Sequence, residues 1–256
     1  MNFLEKNIRK QWLIYAISRY LYQKFFSNFF FEPDINVFKY LKKNKNLNIV
    51  DVGSSDGSFS KYLSKFIYKS NFYCFEPLNH LHKNYSLKNN NNLNLIKKGC
   101  GKKNKSLKIY TPYVKIFLSI KIYLKFYSSI DLNFLKKNLF KSFKKKNFFS
   151  FLVNVIKIKR IDDFKIKADI IKIDTENFEN EVVLGSIKTI KKNYPILYIE
   201  NPSIKLDKIL FNLKYKKYQF LKEKKKLKQV KFNNSYSYNY IFVHDVNIFK
   251  KFTVII

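Results

Sequence analysis

Apolar runs of four to six residues recur along the chain, and most close on a carboxylate or a glycine. Ile49-Val50-Asp51-Val52 runs into Gly53, and Asn71-Phe72-Tyr73-Cys74-Phe75 ends at Glu76. Leu93-Asn94-Leu95-Ile96 stops before Gly99, Ala168 to Ile173 ends at Asp174, and Pro195 to Ile199 ends at Glu200. Runs this short and this apolar predict strands buried on both faces, as in a parallel sheet. The segments between them switch to helical spacing. Phe59, Tyr62, Leu63 and Phe66 share one face of a helix expected over 58–68. Val182, Val183, Ile187 and Ile190 do so over 179–192. Strand–helix alternation predicts an α/β fold, a doubly wound and mostly parallel sheet. Two late segments, near 217–222 and 236–244, predict a C-terminal antiparallel hairpin. Leu13, Ala16, Ile17, Tyr20, Leu21 and Phe25 predict a helix within 12–31. This divides the chain into an N-terminal helical segment, 1–45, and one domain, 46–256. Residues 111–150, dense in lysine and aromatics, fit no compact strand pattern and read as an insertion within that domain.

The charge changes the picture less than its size suggests. The chain of 256 residues carries a formal +33. Such a balance ordinarily points to nucleic acid or an anionic membrane. The cations are nearly all lysine, however, with arginine only at 9, 19 and 160. Lys, Asn, Ile, Phe and Tyr are abundant, while Gly, Pro and Ala are scarce. The first set has AT-rich codons, so compositional bias accounts for much of the excess lysine. Phosphate readers also favour the guanidinium fork. The helix within 12–31 reads as packing on the domain edge, or as a basic amphipathic helix on a membrane surface. No apolar stretch is long and uncharged enough to span a bilayer. Cys74 and Cys100, with no metal spacing and no signal peptide, point to a reducing cytoplasm. His80, His82 and His244 form no motif, and no metal site is expected.

The candidate chemistry lies at the strand ends. Only five glycines occur in the chain, and two of them, Gly53 and Gly57, fall in the loop after the first strand. An apolar strand, a glycine loop opening a helix and an acid about 20 residues on form the grammar of a nucleoside-binding unit. The spacing is Gly53-x-x-x-Gly57, without the G-x-G-x-x-G of dinucleotide folds or the Gly-Lys-Ser/Thr of a P-loop. Asp51 just before the loop disfavours a phosphate and suits a cationic ligand. S-adenosylmethionine, with a sulfonium and an ammonium, is such a ligand.

Asp51-Val52-Gly53-Ser54-Ser55-Asp56-Gly57-Ser58-Phe59-Ser60 resembles the first motif of FkbM-type methyltransferases, and Phe75-Glu76-Pro77 resembles their second. Arg160-Ile161-Asp162-Asp163-Phe164 is similar to the lead into their third, and Lys172-Ile173-Asp174-Thr175-Glu176-Asn177-Phe178-Glu179 to that motif. Leu184-Gly185 and Pro195 to Glu200 continue the series in order, over about 48–200. Ser55 stands where the family usually has Asn, and Asn177 where it usually has Gly. The resemblance implies a class I methyltransferase-like fold and S-adenosyl-L-methionine as cofactor. It implies O-methylation of a sugar or related hydroxyl, often in polysaccharide biosynthesis.

Carried onto this chain, the cofactor contacts are Asp51, Gly53, Ser55, Asp56, Gly57, Glu76, Pro77, Gly99 and Cys100. Asp51 draws the ammonium, directly or through water. Glu76 accepts the ribose hydroxyls, and Gly99 to Gly101 form a loop by the adenine. Asp174 and Glu176 are the candidate bases for the acceptor hydroxyl, with Glu179 and Glu200 as substrate or orienting groups. Residues 111–150 are expected to set acceptor choice. The expected partner is a small-molecule or glycan acceptor, with no specific nucleic acid. The alternatives are an RNA methyltransferase or nucleic-acid-binding protein, and a cofactor-binding scaffold without catalysis.

Overall fold

The computed structural model describes residues 33–79, 81–82, 92–116, 120–124, 127–143, 149–221, 223–232, 239–249 and 254–255. The helix expected within 12–31 and His80 lie outside these residues. Contacts divide the chain into two units, a larger one of 31–105 with 157–256, and a smaller one whose described part lies within 106–156.

A 3-10 helix, Pro33–Tyr40, leads into β1 (Asn48–Val52), α1 (Ser58–Leu63), β2 (Asn71–Phe75), β3 (Leu93–Ile96) and β4 (Gly99–Cys100). Next come β5 (Lys105–Ile116), β6 (Ile120–Tyr123), α2 (Leu132–Phe143) and β7 (Ser150–Lys159). A 3-10 turn at Ile161–Phe164 leads to β8 (Ile170–Ile173), α3 (Glu179–Leu184), α4 (Ile187–Asn193), β9 (Ile196–Glu200) and α5 (Ile204–Asn212). The chain closes with β10 (Lys216–Leu221), β11 (Lys226–Gln229), β12 (Asn239–Val243) and β13 (Val254–Ile255).

The large sheet has the order β13-β11-β10-β12-β9-β8-β1-β2-β3. Strands β3, β2, β1, β8 and β9 are parallel neighbours, while β12 runs antiparallel to both β9 and β10. The two late segments therefore do pair. β12 sits between β9 and β10, and β11, not expected from the sequence, pairs antiparallel with the other edge of β10.

Alternate strand residues feed two cores, as the pleat requires. Ile49, Phe72, Ile170, Ile196 and Tyr198 pack with Phe38, Phe59 and Leu63 on one face. Val50, Phe75, Ile171, Leu197 and Ile199 pack with Val182, Val183, Ile190, Leu206 and Leu210 on the other. All four residues of β8 are buried, including Lys172. Burial on both faces is why these strands read as unbroken apolar runs.

Three sequence expectations are corrected. The helix expected over 58–68 ends at Leu63, because Tyr68 leaves the helix to exchange backbone hydrogen bonds with Asn44 and Asn46. The helix expected over 179–192 is two, α3 and α4. The Gly185 carbonyl accepts from the Asp162 N–H, and a side chain at 185 would meet the Gly101 carbonyl at 2.0 Å. Gly99–Cys100, read as a loop, is the strand β4, pairing in parallel with Ile158 and Lys159 at the end of β7. Residues 111–150 also carry regular elements. In the smaller unit β5 and β6 pair antiparallel, and Leu135 and Leu139 of α2 are buried with Leu124. Exposed lysines such as Lys115 and Lys121 mask the strand pattern there, because long lysine stems cover apolar surface while looking polar in sequence.

Candidate functional site

The carboxyl ends of β1, β2, β8 and β9 form one rim of the larger unit, on either side of the point where the strand order reverses. Ligands of open α/β sheets bind at such a rim. After β1 the chain turns sharply through Gly53 (φ 72°), Ser55 (φ 51°) and Gly57 (φ 78°). A Cβ on Gly53 would sit 1.8 Å from the Asp174 carbonyl oxygen. Glycine is thus demanded by the contact between two strand ends, whatever binds there. Asp56 accepts from the Ser58 N–H at 3.1 Å and closes the first turn of α1.

Glu76 follows β2 and is buried. Its Oε2 accepts from the Ser55 N–H at 3.0 Å, and its Oε1 from the Leu78 N–H at 2.8 Å. Burial raises its pKa to about 7, against the lowering effect of these two N–H donors and of Lys172. Pro77 is half-buried beside it. His82 Nε2 lies 2.7 Å from the Glu76 carbonyl oxygen and holds the corner from behind.

Asp51 and Lys172 are partners across β1 and β8. Asp51 is fully buried. Its Oδ2 accepts from Ser60 Oγ at 2.7 Å, and its Oδ1 lies 3.5 Å from Lys172 Nζ. A ligand cannot touch its carboxylate directly in this arrangement. The same ammonium donates to the Gly53 carbonyl at 3.1 Å and lies 3.1 Å from Asp174 Oδ2. Burial raises the Asp51 pKa, opposed by Lys172 and Ser60. Burial also works on Asp174, but Lys172 and a side-chain hydrogen bond with Glu200 outweigh it and hold Asp174 below the usual range. Sequence reading does not single out Lys172. Its signal is a lone lysine inside an otherwise unbroken apolar strand.

Glu176 and Asn177 follow with φ of 52° and 75°. Glu179 stitches this turn together. Its Oε1 accepts from the Thr175 N–H at 3.0 Å and the Asn177 N–H at 3.2 Å. Glu179 is buried and orients the loop, while Glu176 is exposed on it. Desolvation by the surrounding protein, then the Asp174 and Glu179 charges, raise the Glu176 pKa. Asn is the residue best able to replace glycine at positive φ. Asn177→Gly should therefore leave the melting temperature almost unchanged, whereas Asn177→Ala should cost about 1 kcal/mol. Thermal unfolding of the two variants measures the difference, and equal melting points would contradict it.

Other expected residues serve the fold. The Cys100 side chain is buried in the core and its thiol pKa is raised by burial, so what Gly99 and Cys100 can offer a ligand is backbone. Asp162 accepts from the N–H groups of Lys188 and Thr189, at 3.2 and 2.8 Å, and caps α4. Arg160 pairs with Asp163 at 2.7 Å on the surface. Among the described residues, no three His, Cys, Asp or Glu side chains are placed to hold a metal ion. Nor is any described helix long and apolar enough to cross a membrane.

Five parallel strands, an antiparallel strand slotted beside them, a glycine turn after β1 and acids on the rim define a class I methyltransferase-like domain. The sequence profile of the methyltransferase FkbM domain matches residues 51–228, well over half of the chain, and the protein belongs to that family. Among solved structures, it is similar to the methyltransferase FkbM from Methylobacillus flagellatus KT at 17% identity and a TM-score of 0.39, over 66% of this chain and 40% of that one. The chain thus spans less than half the length of that relative. It is also similar to precorrin-6y C5,15-methyltransferase from Geobacter metallireducens GS-15, at 10% identity and a TM-score of 0.35, over 81% of this chain and 83% of that one. None of the curated proteins compared matches the sequence.

Proposed function

We propose that this methyltransferase uses S-adenosyl-L-methionine to O-methylate a hydroxyl of a sugar or related small-molecule or glycan acceptor. The observation that carries the cofactor reading is Glu76. Its buried carboxylate is fixed by two N–H donors at the end of β2, and its remaining lone pairs suit a pair of ribose hydroxyls. The donor set also fits a ligand that is cationic at one end. Asp174 is held as an anion beside the β1 turn, and the rim carries acids rather than a phosphate cradle. Gly53, Ser55, Asp56 and Gly57 would line the ligand with backbone. Gly99 and Cys100 would meet the adenine through backbone.

When bound, the cofactor supplies a methyl group already activated on sulfonium. The protein then has two tasks. It must hold the acceptor oxygen in line with that methyl group, a positioning effect worth up to about 7–11 kcal/mol. It must also take the hydroxyl proton, worth roughly 10²–10⁴-fold. Glu176 suits the second task better than Asp174. It is exposed on the loop, and its surroundings raise its basicity, whereas Lys172 lowers that of Asp174. Glu179 and Glu200 act as orienting groups, on the 175–177 turn and on Asp174. Residues 46–256 are assigned to the methyltransferase domain and about 111–150 to acceptor choice. The support for this is that the latter falls in the separate smaller unit. A cytoplasmic location and a role in polysaccharide assembly accompany this reading.

Calorimetry with S-adenosylhomocysteine tests the cofactor, and tight NAD or ATP binding without a response to S-adenosylhomocysteine would refute it. Glu176→Gln tests the base. It should keep S-adenosylhomocysteine affinity within a factor of about three. Turnover on a hydroxylated glycan should fall about tenfold or more, because an amide cannot accept the proton. Full activity in that variant would move the base to Asp174 or Glu200.

A further inference from the structure

We propose that Lys172 is a positioning residue for the cofactor, cancelling the buried charge of Asp51 so that Asp174 presents the negative charge to the ligand's ammonium end. This rests on the reading that the site takes S-adenosylmethionine. The starting observation is its cost. Lys172 is the one polar residue of β8, flanked by Ile171 and Ile173 in the centre of the sheet. Burying an ammonium there is unfavourable unless it is fully compensated. Another isoleucine would suit the strand better if only packing mattered.

The compensation is specific. Asp51 Oδ1 makes no hydrogen bond, and the ammonium at 3.5 Å is what offsets its charge. Asp51 Oδ2 is satisfied by Ser60 of α1. From β8 itself Asp174 approaches to 3.1 Å, and from the β1 turn the Gly53 carbonyl does the same. Glu200 at the end of β9 adds a further negative field, and the Phe59 ring of α1 lies 5.6 Å from the ammonium. Burial works against the charge on Lys172, and the carboxylates more than offset it. Two carboxylates therefore share one cation. Asp51 is sealed in the core, while Asp174 is partly exposed at the rim. The ammonium offsets the buried Asp51, and the charge of Asp174 stays on the residue a ligand can reach. Without the ammonium, Asp51 and Asp174 repel each other in a water-poor region, and one of them takes up a proton.

Two variants separate this role from simple packing. Lys172→Met keeps the stem and removes the charge. Lys172→Met combined with Asp51→Asn removes both buried charges, and the amide oxygen introduced by the second change can still accept from Ser60. Each is titrated with S-adenosylhomocysteine by calorimetry at pH 8, alongside thermal unfolding. The single variant should bind about tenfold or more weaker than wild type, and the double variant should return to within about threefold. If the single variant does not fold, the same recovery in the double variant sustains the proposal. Single-variant affinity equal to wild type overturns it, as does a double variant that regains its melting temperature but not its affinity. A wild type indifferent to S-adenosylhomocysteine overturns the cofactor reading itself, and this inference with it.

Discussion

Gly53→Ala lowers the melting temperature by roughly 4–20 °C and removes S-adenosylhomocysteine binding from whatever fraction still folds. Two costs add. The residue sits at φ 72°, where a side chain costs about 1–2 kcal/mol. Its Cβ would also lie 1.8 Å from the backbone oxygen of Asp174, and the obstacle is backbone, which cannot rotate aside. Relieving that overlap must push the ends of β1 and β8 apart, at about 1–3 kcal/mol for an overpacked site. The same displacement breaks the Lys172 bond to the Gly53 carbonyl and shifts Asp174. Stability and cofactor affinity should therefore fall together. Thermal unfolding and calorimetry on one preparation check this, and a stable variant with wild-type affinity would show that the two strand ends do not meet as described.

Glu76→Ala separates the two quantities instead. Loss of a charged acceptor for the ribose costs about 1.5–3 kcal/mol, so S-adenosylhomocysteine affinity should drop by roughly one to two decades. The melting temperature should move little. Two N–H bonds are lost, but so is a carboxylate whose ionised form is costly to bury. The pH dependence follows from the same raised pKa. Folded Glu76 holds its proton more tightly than the unfolded 4.5, so its contribution to stability is full below that pH and is lost as pH rises through about 7. Ribose binding needs the ionised form and runs the other way. Affinity in wild type should weaken about tenfold from pH 8 to pH 6, and Glu76→Gln should flatten that slope. A flat wild-type profile would show that Glu76 is only a corner residue.

The strand ends were readable because each core strand here is buried on both faces. An apolar run that stops at Glu76, Asp174 or Glu200 marks both a strand and its exit to the rim. The glycine at 53 was equally visible, though its reason was not. The sequence suggests close approach to a ligand, and the fold adds close approach to Asp174. Glu179 read as a residue that caps or orients, and in the fold its Oε1 accepts from the Thr175 and Asn177 N–H groups.

Tertiary structure decided what depends on partners far apart in the chain. Local spacing determined the five parallel core strands, the glycine turn and the acids that close three of them, because period and turn chemistry are properties of neighbouring residues. It did not determine that Lys172 faces Asp51, since their meeting needs the parallel register of strands about 120 residues apart. Nor did it determine the break at Gly185, which depends on the approach of Gly101, or the strand character of Gly99–Cys100, which depends on β7. The strands within 111–150 were hidden for the same reason. Exposed lysines share a face there with half-buried tyrosines, and only pairing between strands, Tyr113 with Tyr123 and Lys115 with Lys121, turns that composition into a sheet.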